Sequence, residues 1–448
     1  MAETGETAQT QLIYGRDDRP SFGPSVLAAL AHLFAIVASI LTAPLLIARA
    51  IGLDVDSTQY VISASLVVSG IATFIQTYRI GPIGSGLLAV QGTSFAFIGT
   101  MAYAAAQLPP ETSQDELLGI LLGTAAVGGG LVIALSFFLK SVAKVITPTV
   151  TGVTIFLLGL SLLWSALNNS WRVFANASVG DTPYLAMEWL LTLITIAALA
   201  TRKNLYARLV SVPAGLFGGM LLAAVLRDWA PLPTPTADPL FFLEVLPVSL
   251  DFSFLVLLIL LPIFLVSFTE TIGDITATSL VSGQPVEGKT YFSRLRGGVL
   301  GDGFNTVLAS MFGAFPNTTF SQNNAVIRLT GIASRQVGYV LALLLIVLGS
   351  IPWVSSLIVT IPGSVLNAVT AFLFSMIAYT GFNMVRDRAQ RRGLLVLTIA
   401  TVGALLLLGV PDLLASLDIT IPPYAAILLG FPVASGALLA IIADRSMA

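Results

Sequence analysis

Apolar residues in this chain come in blocks of about twenty, each closed by a short cluster of Arg, Asp, Gly or Pro. About that many are needed for a helix to cross the hydrocarbon core of a bilayer. Such blocks fall near residues 26–48, 59–77, 83–106, 116–138, 148–167, 183–201, 207–226, 252–276, 293–315, 317–331, 336–352, 363–385, 393–410 and 423–443. The pattern predicts an all-α polytopic membrane protein of about fourteen spans. The first block follows Arg16-Asp17-Asp18-Arg19 and is longer than a signal-peptide core, so it reads as a retained helix.

Composition narrows the function classes. Of 448 residues, 56% are hydrophobic and 10% charged, against about 25% charged in soluble chains. The net charge of −2 provides no basic surplus for nucleic acid. With no cysteine there is no disulfide framework, thiolate nucleophile or Cys-based zinc site. Neither a metal nor an organic cofactor is expected.

Sorting the charges tests the span count independently. With a cytoplasmic N-terminus, the inner loops hold 17 of the 21 Lys and Arg residues, among them Arg79, Lys140, Lys144, Lys203, Lys289, Arg294, Arg335, Arg388 and Arg392. The outer loops are acidic, with Asp54, Asp56, Glu111, Asp115, Glu116, Asp228, Asp238, Glu244, Asp412 and Asp418. Basic residues in short loops stay inside, and one miscounted span would reverse every later loop. An even number of spans follows, with both termini cytoplasmic, in the cell (inner or plasma) membrane.

Two irregular segments resemble each other. Gly92-Thr93-Ser94-Phe95 lies in the third block and Asn317-Thr318-Thr319-Phe320 in the tenth, 225 residues apart, close to half the chain. Seven spans separate them, an odd number, so the two point in opposite directions across the membrane. An inverted 7+7 repeat has this property. Gly81-Pro82-Ile83-Gly84-Ser85-Gly86 before one segment and Pro316 before the other break helical hydrogen bonding. Lipid offers no replacement partner, so such backbone must line a cavity or be buried in protein. Each segment is expected to begin extended and continue as a half-helix whose N-terminus presents free N–H groups near the midplane. Scattered glycines such as Gly128-Gly129-Gly130 read instead as close-packing positions.

Three acids fall inside spans of the second half: Glu270, Asp274 and Asp302. Each is costly at that depth unless protonated, paired or hydrated. Glu270 and Asp274, four apart, share a helix face. Two carboxylates one turn apart in a dry site do not both ionise, which suits one of them to take up and release a proton. His32, the single histidine, lies in the first span; one imidazole makes no metal site, and the residue is read as a packing group or as touching the site from behind. Arg328 is read as reaching from the short tenth helix to the inner surface.

Gln322-Asn323-Asn324-Ala325-Val326-Ile327-Arg328-Leu329-Thr330-Gly331 resembles the signature of the nucleobase–ascorbate transporter family. The segments Thr269–Thr278, Ser293–Gly303 and Gln91–Phe95 are similar to those of bacterial xanthine and uric acid permeases. Ala325 departs from the signature, which has Gly there. The resemblance implies a transporter rather than an enzyme. It implies a core carrying the substrate (residues 1–145 and 251–353) and a gate that also forms a homodimer surface (146–250 and 354–448), with elevator-like sliding of one on the other. It also implies that Glu270 and Gln322 hold the base by side chain, with Phe95 and Ser321 contributing backbone N–H groups and Phe95 near the ring. Asp302, Asp274, Asn323, His32 and Thr93 would form the supporting, proton-coupling network. The chemistry suits an oxopurine such as xanthine or uric acid, whose edges alternate N–H donors and carbonyl acceptors. Proton coupling is expected, since carboxylates are present and no sodium cage is evident. Uracil or another nucleobase, or an anion exchanger or channel of the same inverted-repeat architecture, is the alternative. An intramembrane aspartyl protease fits poorly, because Asp274 and Asp302 follow Ile-Gly and Leu-Gly.

Overall fold

The structure is a computed structural model that describes residues 12–139, 147–227, 240–417, 421–422, 425 and 429–447. Its first half begins with α1 (Phe22–Ala50), α2 (Val55–Tyr78), β1 (Gln91–Thr93), α3 (Phe97–Ala105) and α4 (Gln114–Ser136). Among the described residues, four helices follow with no strand between them: α5 (Pro148–Ala175), α6 (Thr182–Ala200), α7 (Leu205–Leu209) and α8 (Ser211–Leu226). The second half repeats the order with α9 (Phe254–Val281), α10 (Gly288–Met311), β2 (Asn317–Thr319), α11 (Gln322–Thr330), α12 (Arg335–Gly349) and α13 (Pro352–Val359). It closes with α14 (Gly363–Leu408), α15 (Val410–Ser416) and α16 (Pro432–Ser446). Short polar side chains start many of these helices by accepting from an orphan N–H, as Asp54 does from Ser57 at 2.8 Å and Ser253 from Val256 at 3.3 Å.

The packing has the symmetry of the repeat. Helix α4 packs on α10, and its counterpart α12 packs on α2; α6 packs on α8 as α14 packs on α16, and α5 packs on α14. The two strands meet each other in an antiparallel pair, whose local twofold is the one an inverted repeat requires. Among the described residues, eight helices are long and apolar enough to span a bilayer, counting the two apolar stretches of α14 separately, or nine with α12 and α13 taken as one bent span. This is an integral membrane protein.

Some boundaries differ from the hydrophobic blocks, for local reasons. The block 336–352 ends early at Gly349, and α13 leaves at 72°, because Pro352 lacks the N–H that would continue the helix. The block 207–226 splits at Val210, with Pro213 in the first turn of α8. The blocks 363–385 and 393–410 form one 46-residue helix. Their link Arg386-Asp387-Arg388-Ala389-Gln390-Arg391-Arg392 has charge but neither Pro nor Gly to interrupt the helical ladder. Residues 423–424 and 426–428 of the last block lie outside the described residues, as do Lys140, Lys144, Asp228, Asp238, Asp418 and the boundary drawn at 145.

Small residues set the helix spacing, since lipid gives apolar side chains little reason to prefer each other. A Cβ added to Gly303 would lie 2.7 Å from the Gly129 carbonyl oxygen and 2.8 Å from the Ile133 nitrogen. Backbone cannot yield as a side-chain tip does, so Gly303→Ala is expected to destabilise by about 1–3 kcal/mol through overpacking. A thermal melt in detergent would show it, and an unchanged melt would mean that α4 and α10 slide apart freely. Gly128 lies equally close, beneath the Phe264 ring, whereas Gly130 meets nothing.

Residues 12–19 run as a strap over the ends of α11 and α12. Ile13 donates to the Gly331 carbonyl at 2.8 Å, Ala333 to Tyr14 at 2.9 Å and Arg335 to Arg16 at 3.0 Å. Ser334 Oγ donates to the Asp18 carbonyl, and Arg335 pairs with Asp17 at 2.7 Å.

Candidate functional site

The site is built around the strand pair. Gln91 stands opposite Thr319, Gly92 opposite Thr318 and Thr93 opposite Asn317, so each broken segment satisfies the other's backbone where lipid could not. Gly92 is required by this crossing: a Cβ there would lie 2.2 Å from the ring of Phe320. Beyond the strands the chain turns at once into the half-helices α3 and α11. The backbone N–H groups of Phe95 and Ser321, just ahead of these helices, donate to nothing among the described residues. Two helix N-termini with donors to spare thus lie at the ends of one small sheet.

Behind the sheet is a buried polar network. The Asp302 carboxylate on α10, 3% exposed, accepts from Gln76 Nε2 at 3.2 Å, from Thr319 Oγ1 at 3.2 Å and from Thr271 Oγ1. Gln76 Nε2 also donates to the Gly298 carbonyl, and its Oε1 accepts from Ser85 N at 2.9 Å. Gln91 Nε2 donates to Thr319 Oγ1 at 2.8 Å, and Gln91 N donates to Thr73. The network joins α2, β1, α9, α10 and β2. A carboxylate with three donors locks strand to helix, which a hydrophobic contact could not do directionally.

In front of the sheet, two helix faces are open. On α9, Glu270 and Asp274 are half-buried and Gly273 is exposed; on α11, Ser321, Ala325 and Arg328 are exposed and Gln322 is half-buried. Thr278 Oγ1 donates to Asn324 Oδ1 at 2.7 Å, which holds these helices side by side. Glu270 makes no hydrogen bond to a described residue, and Glu270, Asp274 and Asp302 lie within electrostatic reach of one another. Charged side chains at this depth face a bundle interior or water rather than lipid.

The residues singled out from sequence therefore divide into two layers. Glu270, Asp274 and Gln322, half-buried, and Ser321, exposed, lie on the two open helix faces, which form the candidate cleft. Phe95 is 9% exposed, its ring edge-on to Phe374 of α14 at 6.2 Å. Asp302, Asn323, His32 and Thr93 are buried behind it. Asn323 donates to the Leu88 carbonyl and lies beside His32 on α1. Sequence reasoning misses Gln76 and includes Gln91, Thr271 and Thr319 only as parts of motifs. The signal for Gln76 was present: an amide deep in an apolar span needs a partner as an acid does. Among the described residues no group of three or more His, Asp or Glu could hold a metal ion.

Comparison with known proteins identifies the family and the fold. A family model described as "Permease family" (Xan_ur_permease) matches residues 23–412. The chain is 38% identical over 402 residues to the xanthine permease XanP of Escherichia coli (strain K12), covering 88% of this chain and 86% of that one. It is 34% identical over 447 residues to XanQ of the same strain, covering 97% and 93%. A purine permease of Emericella nidulans is 33% identical over 89% of this chain and 76% of its own. In fold the chain is similar to the transmembrane domain of the cyanobacterial bicarbonate transporter BicA (TM-score 0.57, 15% identity, 96% of this chain and 99% of that one). It is also similar to the murine anion transporter Slc26a9 in its inward-facing state (TM-score 0.58, 13% identity, 96% and 69%). The fold is an inverted-repeat membrane transporter fold, and the chain belongs to the permease family of nucleobase–ascorbate transporters.

Proposed function

We propose that this protein takes up an oxopurine, xanthine or uric acid, across the inner or plasma membrane together with a proton. The observation that carries the reading is the cleft itself. A carboxylate (Glu270) and an amide (Gln322) sit on adjacent helix faces, near the N–H groups of Phe95 and Ser321, and among the described residues Glu270 and both N–H groups have no hydrogen-bond partner. A carboxylate can accept from two ring N–H groups, an amide can donate and accept in one plane, and backbone N–H groups suit ring carbonyls. Phe95 would cover the ring face. Three carboxylates in mutual reach offer a place for the coupled proton, with Asp302, Asp274, Asn323, His32 and Thr93 as the supporting layer. The names of XanP and XanQ support the substrate class.

In this reading, residues 1–145 and 251–353 form the moving core. Residues 146–250 and 354–448 form the gate, through which two copies would dimerise. The edge-on contact of Phe95 with Phe374 lies where core and gate would slide. Both termini would be cytoplasmic. The test is uptake of labelled xanthine or uric acid into vesicles under an imposed pH gradient. Accumulation that follows the inward proton gradient and ignores sodium is expected. A response to sodium alone would overturn the coupling, and bicarbonate or chloride exchange without base uptake would favour the anion-transport alternative.

A further inference from the structure

The cleft carries one charge that the scheme above leaves unused. Arg328 is exposed, and it pairs with no acid among the described residues. Ser321, Ala325 and Arg328 fall within about 60° of one another around α11, on one stripe. The opposite face of the helix, with Asn323, Asn324, Val326 and Ile327, is buried, and the helix packs against α1 and α9. The stripe is therefore the open side of the helix, running from Ser321 at the site to Arg328.

Direction matters as much as position. Helical side chains lean toward the N-terminus and lie over the preceding turn. From Arg328 that path runs over Ala325 toward Ser321, about 10 Å away along the axis. The single methyl of Ala325 leaves it clear, and an extended arginine covers most of the distance. Across the cleft, α9 presents Glu270 and Asp274 on one stripe of its own. The two walls thus carry opposite charge, acids on α9 and a guanidinium on α11. A neutral base meets the acids through its N–H edge and leaves the guanidinium unmatched. An oxopurine that has lost a ring proton offers N–H groups on one edge and an ionised oxygen on another, and it matches both walls.

We propose that Arg328 is a specificity-determining residue whose guanidinium receives the ionised oxygen edge of the substrate, making an oxopurine monoanion, as uric acid is at neutral pH, preferred over neutral bases. The inference rests on the nucleobase reading. Its test is competition against labelled xanthine in proteoliposomes of the full chain at neutral pH, with uric acid and hypoxanthine as competitors. The wild type is expected to favour uric acid, and in R328Q the ratio of uric acid to hypoxanthine affinity is expected to fall about tenfold or more. R328K keeps the charge without the planar fork and should fall between them. An unchanged ratio in R328Q, or equal behaviour of R328K and R328Q, would overturn the role of Arg328 while leaving nucleobase transport standing. A wild type that takes up no xanthine and is blocked by no base would overturn both.

Discussion

Glu270→Gln is expected to leave a protein that inserts and purifies as the wild type does but takes up labelled xanthine at background. The substitution is almost isosteric. Glu270 bonds to no described residue and is only half-buried, so the fold does not depend on its charge. The bound base does. An oxygen that accepted a ring N–H becomes an amide nitrogen that also donates, and two donors then face each other. Losing charge-assisted bonds costs about 1.5–3 kcal/mol each. Two of them amount to roughly 3–6 kcal/mol, on the order of a hundredfold to ten-thousandfold in affinity. Normal gel-filtration behaviour with no uptake would place Glu270 in the substrate site. Wild-type rates would remove it.

Asp302 should behave in the opposite way, with its main effect on stability. Alanine there strands the donors of Gln76, Thr319 and Thr271, all buried. Unsatisfied buried donors cost about 1–3 kcal/mol each. The Thr271 hydroxyl has a second acceptor in the Ser267 carbonyl at 2.9 Å, and Gln76 a second in Gly298 at 2.7 Å. The loss is therefore set at roughly 3–5 kcal/mol rather than three full penalties. Asparagine should be nearly neutral: its oxygen still accepts from Gln76 and Thr319, and Thr271 can turn to Ser267 and accept from the new amide. Apparent melting temperatures in detergent are expected to separate the two, with alanine lower by on the order of 5 °C or more. Equal melting of both variants would mean that the network does not hold the sheet.

Much of this was legible before any coordinates, where a residue is out of place in its surroundings. Glu270, Asp274 and Asp302 declare themselves because a carboxylate in an apolar run has no ordinary reason to be there. Pro316 and the Gly81–Gly86 run declare a broken helix for the same reason. What stayed hidden depends on partners distant in sequence. Three-residue strands have too little alternation to show a register, so the pairing of Gly92 with Thr318 could not be read. Gln76 passed unnoticed because amides carry no charge, although its burial is as demanding as that of Asp302. The continuity of α14 was obscured by the arginines that mark its middle. They end a hydrophobic block without ending a helix, since hydropathy and backbone geometry answer to different physics.

The β1–β2 pair has a consequence for how the chain is made. Gln91–Thr93 finds its partner strand in Asn317–Thr319, which is synthesised some 226 residues later. At typical elongation of about 5–20 residues per second, that delay is on the order of ten to fifty seconds. Throughout it the first half resides in the membrane with an unpaired strand edge and α3 lacking its anchor. Each half is therefore an unfinished protein, and a ribosome stalled before Thr319 would leave a chain that a membrane protease could distinguish from a completed one.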